Sequence, residues 1–407
     1  MRFIATLLLA ALSAQAAALT VTKPEDVGFS SKRLERVSAA MRSEIEKGLM
    51  PGAVVAIARK GKLVYFESFG FLDKAAGTPM PKDAIFPIAS MTKPMVTVGA
   101  LSLYEEDKLL LNEPAAKYLP QIANMRVATE NGTEPARRQP TLQDLMRHTA
   151  GLTYGNRGSS ELHHAYDKLR PGQQSGPEFL EALSKLPLHY QPGMKWDYSL
   201  GLDVLGLVEE AVTKQRLGDI LSARIWQPLG MPDTGFMVPS AKINRFAKPL
   251  PTDPLTGKAQ AFPDPTSLRK MDGGGGGAYS TAADYIRFAE MLRNKGTLDG
   301  VQILGRKTVE YMTSDQLGPE VNVDQLRTYP NINGYGFGLS VAVRKGGGVA
   351  GVMGSPGDFH WAGANGTFFW VDPKEELTVV FMAASPNDLR YYFRQVITSA
   401  VLQAIAD

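Results

Sequence analysis

The sequence predicts a mixed α/β fold in which both ends of the chain build one mostly antiparallel sheet and a large helical segment is inserted between them. Three observations predict it: β-rich runs near the N-terminus, a mainly helical middle from about 95 to 330, and a return to aromatic and β-branched runs after it. Strand-rich ends around a helical middle are typical of one sheet that carries an insertion.

The N-terminal part begins with a helix and a hairpin. Residues 31–47 carry an apolar residue every three or four positions, which is the pattern of an amphipathic helix. The β-rich runs 53–59 and 63–68 are joined by Lys60-Gly61, a dipeptide that favours a tight hairpin turn. The sheet is therefore expected to start with two antiparallel neighbours.

The C-terminal part supplies the remaining strands. Residues 335–343, 367–371 and 377–383 are rich in aromatic and β-branched residues, and Asp372-Pro373 marks a turn between the last two. A final helix is predicted over 387–406. Helices from both termini are thus expected to flank the sheet.

These elements predict a division of the chain. Residues 18–88 together with 330–407 would form the α/β sheet domain, and 89–329 a mainly helical domain, with the active site at their interface. Residues 1–17 read as a signal peptide, since an arginine and a short apolar run precede Ala14-Gln15-Ala16, a small-x-small cleavage pattern. The apolar run is too short to span a membrane, so we expect an exported protein, periplasmic or secreted.

Composition excludes several classes of function. The 407 residues carry a net charge of +3, which implies no nucleic-acid partner or anionic membrane surface. Without cysteine there are no disulfides, thiol nucleophiles or thiolate metal sites. The five histidines lack the His-Glu-x-x-His spacing, so we predict no metal and no cofactor. The oligomeric state is left open.

The first candidate for chemistry is Ser90-Met-Thr-Lys93. A serine and a lysine three residues apart share one face of a helix, and the apolar run that follows favours a helix beginning near Ser90. A hydroxyl beside a lysine kept neutral by burial can act as a nucleophile. The alternative is that Ser90 caps the helix and Lys93 is a solvated charge, and these four residues do not decide between the two.

Two further segments could complete such a site. Tyr198-Ser199 follows a Pro-Gly turn and precedes a helical pattern, so the tyrosine can project into a cleft, although a packed tyrosine fits equally. His360-Trp361-Ala362-Gly363-Ala364 introduces a strand in a glycine-rich context. By contrast, the glycine run 273–277 lacks the ending of a phosphate loop and favours a tight turn.

Together the three segments resemble the serine β-lactamase and penicillin-binding-protein superfamily, whose signature is Ser-x-x-Lys, then a tyrosine motif, then Lys-Thr-Gly on a strand. Around these motifs the chain is similar to the class C branch, over nearly its whole length. The chain departs from the pattern at the third motif, where Trp361 stands in place of the lysine that would bind a substrate carboxylate. In this respect it looks like the family VIII carboxylesterases.

The resemblance implies a mechanism and a substrate. Ser90 would form an acyl-enzyme with a short-chain, uncharged carboxylic ester, with Lys93 and Tyr198 as the base system in an undecided order. The backbone N–H groups of Ser90 and Ala364 would form the oxyanion hole. Trp361, Ala362 and Gly363 would bind the substrate.

Alternatives are a β-lactamase or D-alanyl-D-alanine carboxypeptidase, an acyltransferase on the same site, or a binding module that retains only the fold.

Overall fold

The protein is described by a computed structural model that covers residues 19–330 and 332–407, so the predicted signal peptide lies outside the described residues. Its strands are β1 Gly52–Arg59, β2 Lys62–Asp73, β3 Thr78–Pro79, β4 Phe86–Pro87, β5 Arg126–Thr129, β6 Gly132–Pro135, β7 Tyr279–Ser280, β8 Thr297–Leu298, β9 Val301–Gln302, β10 Tyr335–Phe337, β11 Ala342–Arg344, β12 Phe359–Ala362, β13 Phe368–Asp372 and β14 Leu377–Ala383. Its α-helices are α1 Ser31–Glu46, α2 Thr92–Glu105, α3 Leu142–Met146, α4 Glu161–Tyr166, α5 Gly176–Ser184, α6 Gly201–Thr213, α7 Leu217–Leu221, α8 Ala282–Arg293, α9 Arg306–Met312, α10 Asp324–Thr328 and α11 Leu389–Leu402.

One eight-stranded antiparallel sheet confirms the predicted fold class. Its strand order is β10-β11-β12-β13-β14-β1-β2-β3, so the C-terminal strand β14 lies beside the N-terminal strand β1. Ala53 of β1 faces Ala383 of β14, and the pairing continues to Arg59 opposite Leu377. The two ends of the chain therefore meet at the centre of the sheet, as their composition predicted.

Helices cover both faces of this sheet. Helices α1 and α11 pack together on one face, where Val37, Met41 and Phe393 belong to one buried apolar cluster. Helix α8 crosses β1, β13 and β14 on the other face. Every residue of β1 is buried, because a central strand covered on both faces has no solvent-facing side.

The C-terminal prediction was wrong at one point. Residues 335–343 do not form one strand but the antiparallel pair β10 and β11. The turn between them contains Ser340, whose φ of +67° breaks the extended conformation, and Gly338, where a Cβ would lie 2.4 Å from the carbonyl oxygen of Met312. The other predicted strands and helices of both ends are confirmed within a few residues, except that β2 extends well beyond residue 68.

The central segment contributes most of the helices and carries the site at its edge. Helix α2 packs against α6, and the short strand β4 that leads into α2 pairs with β7, directly after the glycine run. The division into a sheet domain and a helical domain stays a prediction. Within 19–330 and 332–407, no helix combines the length and the apolar character needed to cross a membrane.

Candidate active site

Ser90 lies in a tight turn at the start of α2. A single 3₁₀ turn, Ala89–Met91, joins β4 to the helix, and Ala89 has a φ of +45°, which is uncommon for a residue with a side chain. The Tyr285 hydroxyl donates to the Met91 carbonyl at 2.8 Å and anchors this turn. The predicted helix near Ser90 is confirmed. Its N-cap is Met91, without a side-chain capping bond, so Ser90 does not serve as that cap.

Lys93 is fully buried and faces Ser90. Its Nζ lies 3.2 Å from Ser90 Oγ, 3.2 Å from the Tyr154 hydroxyl and 2.5 Å from the carbonyl oxygen of Gly275. Burial lowers the pKa of Lys93 to about 7, and the carboxylate of Asp203 opposes that shift. A substantial fraction of this amine is therefore neutral at neutral pH. Because Lys93 is fully buried, it is not the solvated surface charge of the alternative interpretation.

Tyr198 meets the same pair from the loop before α6. Lys93 Nζ lies 4.6 Å from the centre of its ring, and the tyrosine lines the same cavity as Ser90. The indole Nε1–H of Trp361 donates to the Tyr198 oxygen at 3.4 Å. Burial raises the pKa of Tyr198 above its ordinary value, so the phenol is protonated at neutral pH. Of the two predicted base residues, Lys93 is the one that is readily neutral.

A buried histidine supports the Tyr198 ring. His148 packs edge-on against it with ring centres 4.6 Å apart, and its Nδ1 accepts from the Ser199 N–H at 3.3 Å. Burial holds the pKa of His148 well below its usual range, so the ring is neutral. Tyr198 is thus held by aromatic packing on one side and by polar contacts at its hydroxyl.

The end of β12 lies against the Ser90 segment. The Thr367 hydroxyl donates to the Ile88 carbonyl at 3.1 Å, and a Cβ at Gly363 would lie 2.3 Å from that same oxygen. A glycine is therefore needed for the two segments to approach so closely. As a result Ser90, Trp361 and the run from Ala362 to Ala364 line a single cavity.

The cavity has a volume of about 480 Å³ and one aromatic wall. Tyr329 stacks on Trp361 with ring centres 5.9 Å apart, and the guanidinium of Arg157 lies 5.1 Å from the centre of the Tyr329 ring. Arg390 and Arg394 also line it, and no Asp or Glu does among the described residues. The loss of the third-motif lysine at Trp361 therefore does not leave the cavity without positive charge.

Sequence reasoning missed Tyr154, Asp203 and Gly275. The Gly275 N–H donates to Asp203 Oδ1 at 2.9 Å while its carbonyl accepts from Lys93, so the glycine run touches the reactive residues. The sequence alone had indicated only a tight turn there. Tyr154 stood in a Gly-Leu-Thr-Tyr-Gly loop with nothing to single it out. The run of five glycines was the one signal in the sequence, and it did not indicate which residues the run contacts.

The described residues contain no group of three or more His, Asp or Glu side chains arranged to hold a metal ion. The reactive groups of this site are thus a hydroxyl, an amine and two phenols. Such a set supports nucleophilic catalysis with proton transfer, in which the serine forms a covalent intermediate.

Fold and site together define a serine hydrolase of the β-lactamase and penicillin-binding-protein superfamily. A family model described as Beta-lactamase matches residues 37–397, and the chain belongs to that family.

Three relatives show how far the similarity extends. Protein Rv1367c from Mycobacterium tuberculosis is 36% identical over 88% of this chain and 91% of its own length. Esterase EstB from Burkholderia gladioli is 31% identical over 85% of this chain and 89% of its own length. A solved structure, "EstCE1, a hydrolase with promiscuous acyltransferase activity", superposes with a TM-score of 0.79 and 26% identity, covering 91% of this chain and 98% of that one.

Proposed function

We propose that the protein hydrolyses carboxylic esters, with short acyl chains, through an acyl-enzyme on Ser90. The observation that carries this proposal is the buried amine of Lys93, 3.2 Å from Ser90 Oγ and with a pKa lowered to about 7. Similarity to an esterase and to a hydrolase in the solved structures supports it.

In the first half of the reaction Ser90 Oγ attacks the ester carbonyl while neutral Lys93 accepts the hydroxyl proton. Tyr198, which lines the same cavity as Ser90, passes a proton to the leaving alkoxide, and Lys93 replenishes that proton. The C–O bond to the alcohol breaks and an acyl-Ser90 remains. In the second half a water molecule gives its proton to neutral Lys93 and attacks the acyl carbon. The bond from that carbon to Ser90 Oγ then breaks, Ser90 takes the proton back from Lys93, and the carboxylic acid leaves.

The negative oxygen that develops on the substrate would be stabilised by the backbone N–H groups of Ser90 and Ala364. Both residues line the cavity, one in the turn at the start of α2 and the other just beyond β12. Removing one donor of such an oxyanion hole costs about 10²–10³ in rate. Trp361, Ala362 and Gly363 would form the substrate wall.

The direct test is Ser90→Ala. We expect it to abolish hydrolysis of p-nitrophenyl butyrate and covalent labelling by a fluorophosphonate, because both require the serine oxygen. Ser102→Ala is the matched control, since Ser102 lies further along α2, hydrogen-bonded to the carbonyl of Gly99 and away from the cavity. Persistence of either reaction in the Ser90 variant would refute the assignment.

The arginines favour a second candidate, a β-lactamase or D-alanyl-D-alanine carboxypeptidase. Arg157, Arg390 and Arg394 line the cavity and could bind a substrate carboxylate in place of the missing lysine. Nitrocefin turnover that exceeds ester cleavage in kcat/KM would select this function.

An acyltransferase is the third candidate, because the structurally similar EstCE1 is a hydrolase with promiscuous acyltransferase activity. Adding a primary alcohol to the ester assay and analysing products distinguishes transfer from hydrolysis.

We also propose that the protein is exported to the periplasm or the medium. The support is the charged and apolar N-terminal run followed by Ala14-Gln15-Ala16. N-terminal sequencing of the protein purified from its native cell should begin near residue 17 or 18; a chain that begins at Met1 would refute cleavage.

A further inference from the structure

A buried carboxylate, that of Asp203, lies close to the reactive residues without lining the cavity of Ser90. Asp203 is the third residue of α6, only five residues beyond Tyr198, and its side chain is 3% exposed. An acidic residue in the first turn often does no more than stabilise a helix start. The contacts of Asp203 indicate a further role, because they reach the glycine run, which belongs to a different part of the chain.

Gly275 is held from both sides. Its N–H donates to Asp203 Oδ1 at 2.9 Å, and its carbonyl accepts from Lys93 Nζ at 2.5 Å. A Cβ at this position would lie 2.3 Å from Asp203 Oδ2 and 2.8 Å from the Tyr154 hydroxyl. Only a glycine fits, so a single residue of bare backbone connects the carboxylate to the amine.

Asp203 and Lys93 also influence each other's protonation. Burial raises the pKa of Asp203, and Lys93 and the Gly275 N–H oppose that shift. Burial lowers the pKa of Lys93, and Asp203 opposes that shift by favouring the protonated amine. Tyr154 and Tyr198 also face this pair, and burial together with Asp203 raises their pKa values, so both stay neutral. His148, which packs on Tyr198, is neutral as well. The guanidinium of Arg157 also acts on this group, since it lowers the pKa values of Tyr198 and His148.

We propose that Asp203 is a positioning residue: it holds the glycine run against Lys93 and sets the charge of the amine that activates Ser90. The carboxylate contacts no reacting atom and acts through Gly275. The proposal rests on the proposed function only in taking Ser90 and Lys93 as nucleophile and base.

The charge is tested with Asp203→Asn, which keeps the size of the side chain and an oxygen to accept from Gly275. Without the negative charge Lys93 loses its proton more easily, so the acid limb of the pH profile should move from near pH 7 to lower pH. For a shift of about one pH unit, the rate at pH 6 relative to the plateau rises about fivefold. The rate measured is that of fluorophosphonate labelling of Ser90, which does not depend on knowing the natural ester.

The holding role is tested with Asp203→Ala, which removes the acceptor for the Gly275 N–H. We expect the plateau rate of labelling to fall at least tenfold, whereas Asp203→Asn should retain most of it. Glu209→Gln is the matched control, because Glu209 is a fully buried acid on the same helix that contacts neither Lys93 nor Gly275. Glu209→Gln should change neither the acid limb of the pH profile nor the plateau rate of labelling. Circular dichroism and thermal unfolding establish that each variant is folded.

The outcomes separate the two proposals. Wild-type protein that is not labelled at any pH would overturn the proposed function itself. Labelling with an unmoved acid limb in Asp203→Asn would overturn the role in charge, and an undiminished plateau in Asp203→Ala would overturn the role in holding the loop. If Asp203→Asn does not fold, Asp203→Ser offers a smaller acceptor without charge and is measured in the same way.

Discussion

The two sides of Ser90 are built differently. On the base side, Lys93 makes polar contacts of 2.5–3.2 Å to three partners, and Gly275 has no room for a methyl group. On the cavity side, Trp361 and Tyr329 meet through a ring contact of 5.9 Å and border a space of about 480 Å³.

This difference indicates that the base side serves proton transfer and the cavity side serves substrate selection. Proton transfer needs donor and acceptor within hydrogen-bond distance, so small displacements on the base side are costly. An aromatic wall instead contributes area and shape, which discriminate substrates by modest factors. Substitutions on the base side should therefore lower kcat for every ester, while those on the cavity side should change preference between esters.

The largest effect is expected from the two tyrosines that contact Lys93, compared as Phe variants. Tyr198→Phe removes the hydroxyl that would give a proton to the leaving alkoxide, and should lower kcat by about 10²–10⁴. Tyr154→Phe removes one hydrogen bond to Lys93 and should cost about tenfold or less. Steady-state hydrolysis of p-nitrophenyl butyrate measures both. Equal losses would mean that Tyr198 only positions Lys93, as Tyr154 does.

A smaller effect is expected from neighbouring glycines. In Gly275→Ala the new methyl group meets Asp203 and Tyr154 atoms at 2.3 and 2.8 Å, so the loop must move away from Lys93. We expect a loss of about 1–3 kcal/mol in the free energy of unfolding and a fall in kcat of about tenfold.

Gly276→Ala is the control for that substitution. Its Cβ would lie 3.5 Å from the backbone of Ala89, an ordinary contact, and neither glycine has a positive φ. Thermal unfolding and kcat should both stay near the wild-type values. If the two variants behave alike, the tight fit around Gly275 is not what maintains the base side.

The two sides also differ in how far the sequence could predict them. Ser90 and Lys93 were found because they lie three positions apart, within one helical turn, which is a local relation. Tyr198 and Trp361 are remote in sequence and were found only through the order of three motifs. The roles assigned to these residues and to Ala364 stay predictions, although the structure brings them to one cavity.

Tyr154, Asp203 and Gly275 could not be found in that way. Tyr154 and Gly275 contact Lys93, and Asp203 contacts Gly275, because α2, α6, the loop between α3 and α4 and the glycine run meet in space. No pattern within any one of these segments predicts that meeting. The fold was easier, since alternating and apolar strands at both ends of the chain imply a shared sheet. The one strand that was predicted wrongly, at 335–343, is interrupted at Ser340. This residue adopts a left-handed conformation that its residue type does not predict.

The smallest effect on catalysis is expected at Trp361. Trp361→Phe keeps an aromatic ring for Tyr329 to stack on but removes the N–H that donates to the Tyr198 oxygen at 3.4 Å. A hydrogen bond of this length contributes at most about 1 kcal/mol, so kcat for p-nitrophenyl acetate should fall by no more than about fivefold. KM for longer acyl esters should change more than kcat, because the smaller ring enlarges the cavity.

Trp361→Lys tests the same aromatic wall by adding a positive charge to it. It restores the charge that the third motif usually carries, next to a cavity that Arg157, Arg390 and Arg394 already line. One added charge-assisted contact strengthens binding of an anionic substrate by about ten- to a hundredfold. A lower KM for nitrocefin with unchanged kcat on p-nitrophenyl acetate would show that the cavity side selects substrates independently of the base side. A parallel fall of kcat on both substrates would instead show that Trp361 belongs to the proton-transfer machinery through Tyr198, and the two sides of Ser90 would no longer be separable.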